Sequence, residues 1–345
     1  MALGNHKEST FSPPAGFISD IVATLGSLFV SAVFLFFVLE GILRVGLIGD
    51  MNFNTQMWLY ERQLKQPSQK AGVVHEHIPG RIAHLMGVDV SINSKGLRDR
   101  EIAYEKQPGV IRILMLGDSL TFGWGVPVEK TFSKRLEKKL NQPGNEKKYE
   151  VINAGVGNYN IGMEVSYYLE EGYKYDPDIV VLNYFINDAE NVPDTAPGFM
   201  ARNFFAYAFL FGKTDALIRA FSETGDWKSY YQNLYEEEGL KRIGVAIKRL
   251  SDGTRKHGAK LLFSFLPELR ILKDYPFTAQ ESTVAEIATQ YGIPSAKILQ
   301  YVSAEAPESL WVSIPDPHPN ANANALFADG ILKELLKIGF IRKNQ

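Results

Sequence analysis

Ser119, Asn187 and His318 are the side chains whose types and places point to chemistry, with Asp316 two residues ahead of the histidine. A serine hydroxyl is a poor nucleophile until a base stands within hydrogen-bond reach. His318 is the base candidate, because among six histidines it has a carboxylate two residues away in a proline-bounded turn, DPHPN at 316–320. Asp316 is of the type that orients an imidazole and stabilises its charged form. Attack on an ester carbonyl creates an oxyanion. The Ser119 N–H, a backbone N–H of the glycine-rich turn 155–158 and the Asn187 amide are available to receive it. Losing one such donor typically costs about 2.7–4 kcal/mol of transition-state stabilisation. Each group alone is a weak signal. Gly-Asp-Ser turns arise for backbone reasons, and Thr121 stands where a G-x-S-x-G elbow needs its last glycine. The order of the groups along the chain carries the reading.

That order follows the strands. Residues 111–116 are a short apolar run ending at Gly117, so Ser119 falls at the carboxyl end of a predicted strand. Residues 149–153, 178–183, 260–266 and 293–298 read as four further strands. Phe132, Leu136 and Leu140 recur at i, i+4 and i+8, and 161–173, 238–256, 279–291 and 322–338 have helical patterns. Strands alternating with helices predict an α/β fold, a parallel sheet covered on both faces. Ligands bind at the carboxyl ends of such sheets. Residues 190–237 are too long for a plain connection and hold Phe204, Phe205, Tyr207, Phe209 and Phe211, then Trp227, Tyr230, Tyr231 and Tyr235. The helical spacing of the last group predicts a small aromatic cap.

The amino-terminal part is different in kind. Residues 1–20 read as a polar tail. Residues 21–39 carry no charge between Asp20 and Glu40, enough for a helix about 28 Å long, and predict a single membrane anchor. A cleaved signal peptide fits less well, since no small-x-small site follows Leu39 and the preceding region is weakly basic. Lys7 before the span and Arg44 after it leave its orientation unassigned. Residues 40–108 read as a linker and flap, and 109–345 as the main domain. His75-Glu76-His77 puts two rings on one face of an extended stretch with no third ligand, which predicts an exposed loop, not a metal pair. The 345 residues are 45% hydrophobic with a net charge of −2 and no cysteine. That argues against nucleic acid as a partner and removes disulfides and thiolate chemistry.

The blocks GDSLTFGWG at 117–125, INAGVGNYN at 152–160, INDA at 186–189 and DPHPN at 316–320 together resemble the SGNH/GDSL superfamily of serine esterases and acyl transferases. NSKGLR at 93–98 is similar to its membrane-anchored, extracytoplasmic members. The resemblance implies a three-layer α/β/α, flavodoxin-like sandwich of about five strands on a periplasmic or exterior domain. It implies Ser119 as nucleophile, His318 as base and Asn187 as oxyanion donor, with no metal or organic cofactor. Two departures stand out. The donor glycine of the second block falls five residues after its leading Asn, which here is Asn158, with Gly157 just before it. Either backbone N–H fits the oxyanion hole. The acid stands three residues before the histidine in the family, whereas position 315 is Pro and the carboxylate is Asp316. A backbone carbonyl is then the alternative partner of the ring.

The leading expectation is a membrane-anchored serine esterase working through an acyl-enzyme on Ser119. Its substrate is an ester or acylated glycan, such as an envelope or exported polysaccharide, with room for partners in envelope biosynthesis. An O-acyl transferase to a glycan uses the same site. A non-catalytic scaffold that keeps the fold is the rival of another class. A phosphate-binding flavodoxin-like domain lacks its Walker lysine or G-x-G-x-x-G.

Overall fold

A computed structural model describes residues 16–47, 53–144, 147–192, 197–210 and 226–342. α1 (Phe17–Leu47) and α2 (Phe53–Leu64) come first. Two small antiparallel hairpins follow, β1 (Lys65–Pro67) with β2 (His75–His77), and β3 (Ile82–Leu85) with β4 (Val88–Ser91). The main domain runs β5 (Val110–Gly117), α3 (Ser119–Phe122), α4 (Phe132–Leu140), β6 (Lys148–Gly155), α5 (Ile161–Glu170) and β7 (Ile179–Tyr184). It continues with α6 (Phe199–Asn203), α7 (Trp227–Asn233), α8 (Glu237–Lys256), β8 (Lys260–Phe265), α9 (Thr278–Gln290) and β9 (Ser295–Lys297). The hairpin of β10 (Trp311–Ser313) and β11 (Asp316–Pro319) and the last helix, α10 (Ala321–Lys337), close it.

The expected parallel sheet is present, with strand order β6-β5-β7-β8-β9. Successive side chains of a strand point to opposite faces. Ile113, Met115, Val151, Val181 and Leu262 therefore pack under α4 and α10, while Leu114, Leu116, Ile152, Leu182 and Phe263 pack under α5, α8 and α9. Both faces are apolar, so each strand reads as a continuous hydrophobic run, as buried parallel strands do. The chain leaves β5 for β6 on one side and returns to β7 on the other. This strand order puts a switch point, and so a crevice, at the carboxyl end of β5.

A third core joins the segment after α1 to this domain. Trp58, Tyr60, Leu64, Leu85 and Val90 pack around Phe122 and Trp124. Arg98 is buried and donates to the carbonyls of Phe122, Gly123 and Val126 at 3.1, 2.5 and 2.7 Å. The segment 53–98 is thus built into the loop that follows Ser119. His75 and His77, expected in an exposed loop, are buried instead, because β2 pairs with β1 and both rings on its one face turn inward.

α1 begins at Phe17, inside the stretch read as a polar tail, and runs past residue 39 to Leu47. Residues 1–15 lie outside the described residues. Among the described residues α1 is the one helix long and apolar enough to cross a membrane, over Ser19–Gly46. The helix continues through Glu40 because that charge finds partners. Its carboxylate pairs with Arg44 at 2.5 Å and accepts the N–H groups of Phe205 and Ala206 at 3.0 and 2.6 Å. Phe204 lies edge-on to Phe36 and Phe37. The first part of the aromatic insertion therefore packs on α1, and Trp58 donates to the Ala201 carbonyl. The second part forms α7, which carries Trp227, Tyr230 and Tyr231. Trp227 and Tyr231 lie against Phe277. Phe211, expected in the same insertion, falls outside the described residues.

Candidate active site

The nucleophile candidate is positioned by two glycines. Gly117 and Gly155 are register partners at the ends of β5 and β6. A Cβ on Gly117 would meet Thr121 Oγ1 at 2.0 Å, and one on Gly155 would meet the Phe122 nitrogen at 2.1 Å. Only glycine lets α3 lie directly over the strand ends. Asp118 caps that turn, its Oδ1 accepting the Leu120 N–H at 2.8 Å. Ser119 is the first residue of α3 and borders an open cleft of about 330 Å³.

β11 supplies the other two groups. On an extended strand, residues i and i+2 share a face. Asp316 and His318 therefore meet without the longer spacing. Asp316 Oδ1 lies 2.6 Å from His318 Nδ1 and also accepts the His318 backbone N–H at 3.1 Å. Its Oδ2 accepts Trp124 Nε1–H at 2.9 Å. Asp316 is fully buried. Burial opposes its charge, but the His318 ring and the indole N–H hold its carboxyl below the usual aspartate range. A carboxylate at Nδ1 keeps the proton there, so the Nε2 lone pair faces outward. Ser119 Oγ is 2.9 Å from that nitrogen. Phe53 stacks on the ring with centroids 5.5 Å apart.

The four expected oxyanion groups separate. Asn187 and Asn158 line the same cleft as Ser119 and His318. Gly157 does not supply a free N–H, because that group donates to Tyr60 Oη at 2.9 Å. Asn158 has φ +65°, and its own N–H has no protein acceptor among the described residues. The left-handed turn thus leaves Asn158 as the donor that the 155–158 turn offers. Among the described residues the Ser119 N–H is likewise free of a protein acceptor. Asn187 lies against Asp118, whose carboxyl burial pushes up while Leu120, His318 and Asn187 favour its charged form.

Several supporting groups carried no sequence signal of their own. Trp124 sits inside the GDSLTFGWG block, and its bond to Asp316 links residues 192 positions apart. Phe53 and Met57, spaced i, i+4 on α2, enter the cleft from a segment read as a linker. Glu268 and Arg270, paired at 2.7 Å, line the same cleft with Tyr231. Behind Ser119, burial pushes the carboxyls of Glu164 and Asp188 well up, with Asp118 nearby adding to the effect. Among the described residues these acids form no metal-binding group.

The site defined this way is a serine, histidine and aspartate array at the carboxyl edge of a doubly covered parallel sheet. No protein-family model and no curated protein matches the chain. Among solved structures the chain is similar to TesA, at 15% identity and TM-score 0.44, over 66% of this chain and 99% of that one. It is similar to the psychrotrophic esterase EstA from Pseudoalteromonas sp., at 16% identity and TM-score 0.43, over 67% and 99%. It is also similar to a catalytic mutant of Axe2, an acetylxylan esterase from Geobacillus stearothermophilus, at 14% identity and TM-score 0.44, over 68% and 97%.

Proposed function

We propose that this protein is a serine ester hydrolase of the SGNH type, held at a membrane by α1, that removes small acyl groups from an envelope or exported polysaccharide. One observation carries the reading: Ser119 Oγ, His318 Nε2, His318 Nδ1 and Asp316 Oδ1 form one hydrogen-bonded line, at 2.9 and 2.6 Å, opening on a cleft. Ser119 Oγ attacks the ester carbonyl carbon as its proton passes to His318 Nε2. The oxyanion is received by the N–H groups of Ser119 and Asn158 and by the Asn187 amide. The intermediate collapses, the alcohol leaves with the proton from Nε2, and the acyl group remains on Ser119. Water, deprotonated by the same nitrogen, then releases the acid and restores the serine. Glu268, Arg270 and Tyr231 in the cleft lining offer polar groups to a hydroxyl-rich alcohol, beside the apolar Phe53, Met57 and Leu269.

The test is acetate release from acetylated polysaccharide by the full chain, beside p-nitrophenyl acetate turnover, for the native protein and Ser119→Ala. Release that vanishes in Ser119→Ala supports the hydrolase. Acetylated acceptor glycan in place of free acetate would move the assignment to an O-acyl transferase. A native protein no faster than Ser119→Ala on every ester, and inert to a fluorophosphonate, would leave only a binding role.

A further inference from the structure

Lys65 has no exposure at all. Taking an ammonium out of water is costly unless good partners meet it. Its Nζ has two, Glu61 Oε2 at 3.0 Å and Asn158 Oδ1 at 2.8 Å, and it sits 4.8 Å from the centre of the Tyr60 ring. Burial pushes the ammonium down from its usual range, and Glu61 works against that. The second partner is the residue whose backbone N–H is the turn's free donor.

The rest of the turn is pinned from the same side. Gly157 donates its N–H to Tyr60 Oη, and its carbonyl accepts from His75 Nε2 at 3.1 Å. Tyr159 donates its hydroxyl to the His75 carbonyl at 2.8 Å and its N–H to the Val156 carbonyl at 3.1 Å. Tyr60 is itself held by His77 Nε2 at 2.7 Å. Residues 157–159 are thus clamped by α2, β1 and β2, elements that precede the sheet. Asn158 is in a left-handed conformation that glycine adopts more cheaply. An asparagine has one thing that glycine lacks there, a side chain for Lys65 to hold.

We propose that Lys65 is a positioning residue for the oxyanion hole: through Asn158 Oδ1 it fixes the turn so that the Asn158 N–H meets the developing oxyanion. This rests on the esterase reading. Transition-state donors act only within a few tenths of an ångström of the right place, so a turn free to rock loses rate without losing ground-state binding.

A double-mutant cycle on the full-length protein tests this, with p-nitrophenyl acetate kinetics and the rate of fluorophosphonate labelling as readouts. Asn158→Gly is the second background, since it keeps the N–H and the left-handed turn but removes Oδ1. In the native background, Lys65→Met should lower kcat by about 10–100-fold with KM within about twofold. In the Asn158→Gly background the same substitution should change kcat by less than about threefold. Lys65→Gln, which restores a donor toward Oδ1, should recover part of the loss. Should Lys65→Met not fold, Lys65→Gln is run in both backgrounds and judged by the same ratio. Equal losses in the two backgrounds, or a loss confined to KM, would overturn the proposal and leave Lys65 a structural ion. A native protein that labels no faster than Ser119→Ala would sink the esterase reading and this proposal with it, whereas a reactive native protein with no coupling sinks this proposal alone.

Discussion

Asp316 receives three N–H groups, two from His318 and one from Trp124, and has no place for a donor of its own. An asparagine would turn an NH2 toward one of them, or leave His318 Nδ1 unprotonated and its Nε2 proton aimed at Ser119. Asp316→Asn should therefore lower kcat on p-nitrophenyl acetate by about 10³–10⁴-fold, with the fold intact by near-ultraviolet circular dichroism. Trp124→Phe keeps an aromatic ring, smaller than the indole, but removes one of the three bonds. Its loss should be smaller, about tenfold in kcat at unchanged KM. An Asp316→Asn protein within threefold of native would remove Asp316 from the proposed triad. Because the Asp316 carboxyl titrates below the usual aspartate range, the acid side of the rate profile above pH 5 should be unaffected by it.

β2 is one of the three elements that hold the 157–159 turn, with α2 and β1. Its histidines form a neutral relay with what surrounds them. His77 Nδ1 faces the Gly96 carbonyl at 3.0 Å and so carries the proton, which leaves Nε2 to accept from Tyr60, whose oxygen accepts from Gly157. Burial pushes both His75 and His77 down to about 3. In the unfolded chain each titrates near 6.5. Above that pH neither state binds the proton and nothing is gained or lost. Between about 6.5 and 3 the unfolded state binds protons that the native state refuses, so stability falls as pH falls, by at most about 1.4 kcal/mol per pH unit for each histidine. Urea denaturation at pH 7, 6 and 5 should show that slope. In His77→Gln the pH 7 stability should drop while the slope between 6.5 and 5 becomes shallower. An unchanged slope would mean that His77 is not held neutral.

For the whole molecule the question is what α1 does. Its apolar stretch of 28 residues would span about 42 Å, more than the roughly 30 Å hydrocarbon core. In the proposed anchor, part of the helix would project from the bilayer, in keeping with Glu40 and Arg44 bonding to residues 203–206 instead of water. We expect the full-length protein to stay with the membrane pellet after alkaline carbonate extraction. The amino terminus of the mature protein should precede residue 17. A mature protein beginning beyond residue 47, recovered in the supernatant, would make α1 a removable signal sequence.

The α/β architecture is legible in the sequence, because strand and helix patterns are local. Residues 111–116, 178–183 and 260–266 are apolar on both faces, and Phe132, Leu136 and Leu140 repeat with the helical period. Ser119, Asn187 and His318 of the candidate site were legible by type and order, since few side chains suit the parts of nucleophile, amide donor and base, and two of them follow predicted strands. What the sequence left open was geometry between distant residues. Whether Gly157 or Asn158 offers its N–H depends on Tyr60, 97 positions earlier, and the hold on Asn158 depends on Lys65, 93 positions earlier. The reach of Asp316 to its histidine depended on β11 being extended, because i and i+2 then share a face. The burial of His75 and His77 depended on which surface β2 met. Periodicity and residue type are properties of a short stretch of chain and can be read from it. A hydrogen bond's partner is chosen by whichever group the completed fold brings within about 3 Å, and only the tertiary structure makes that choice.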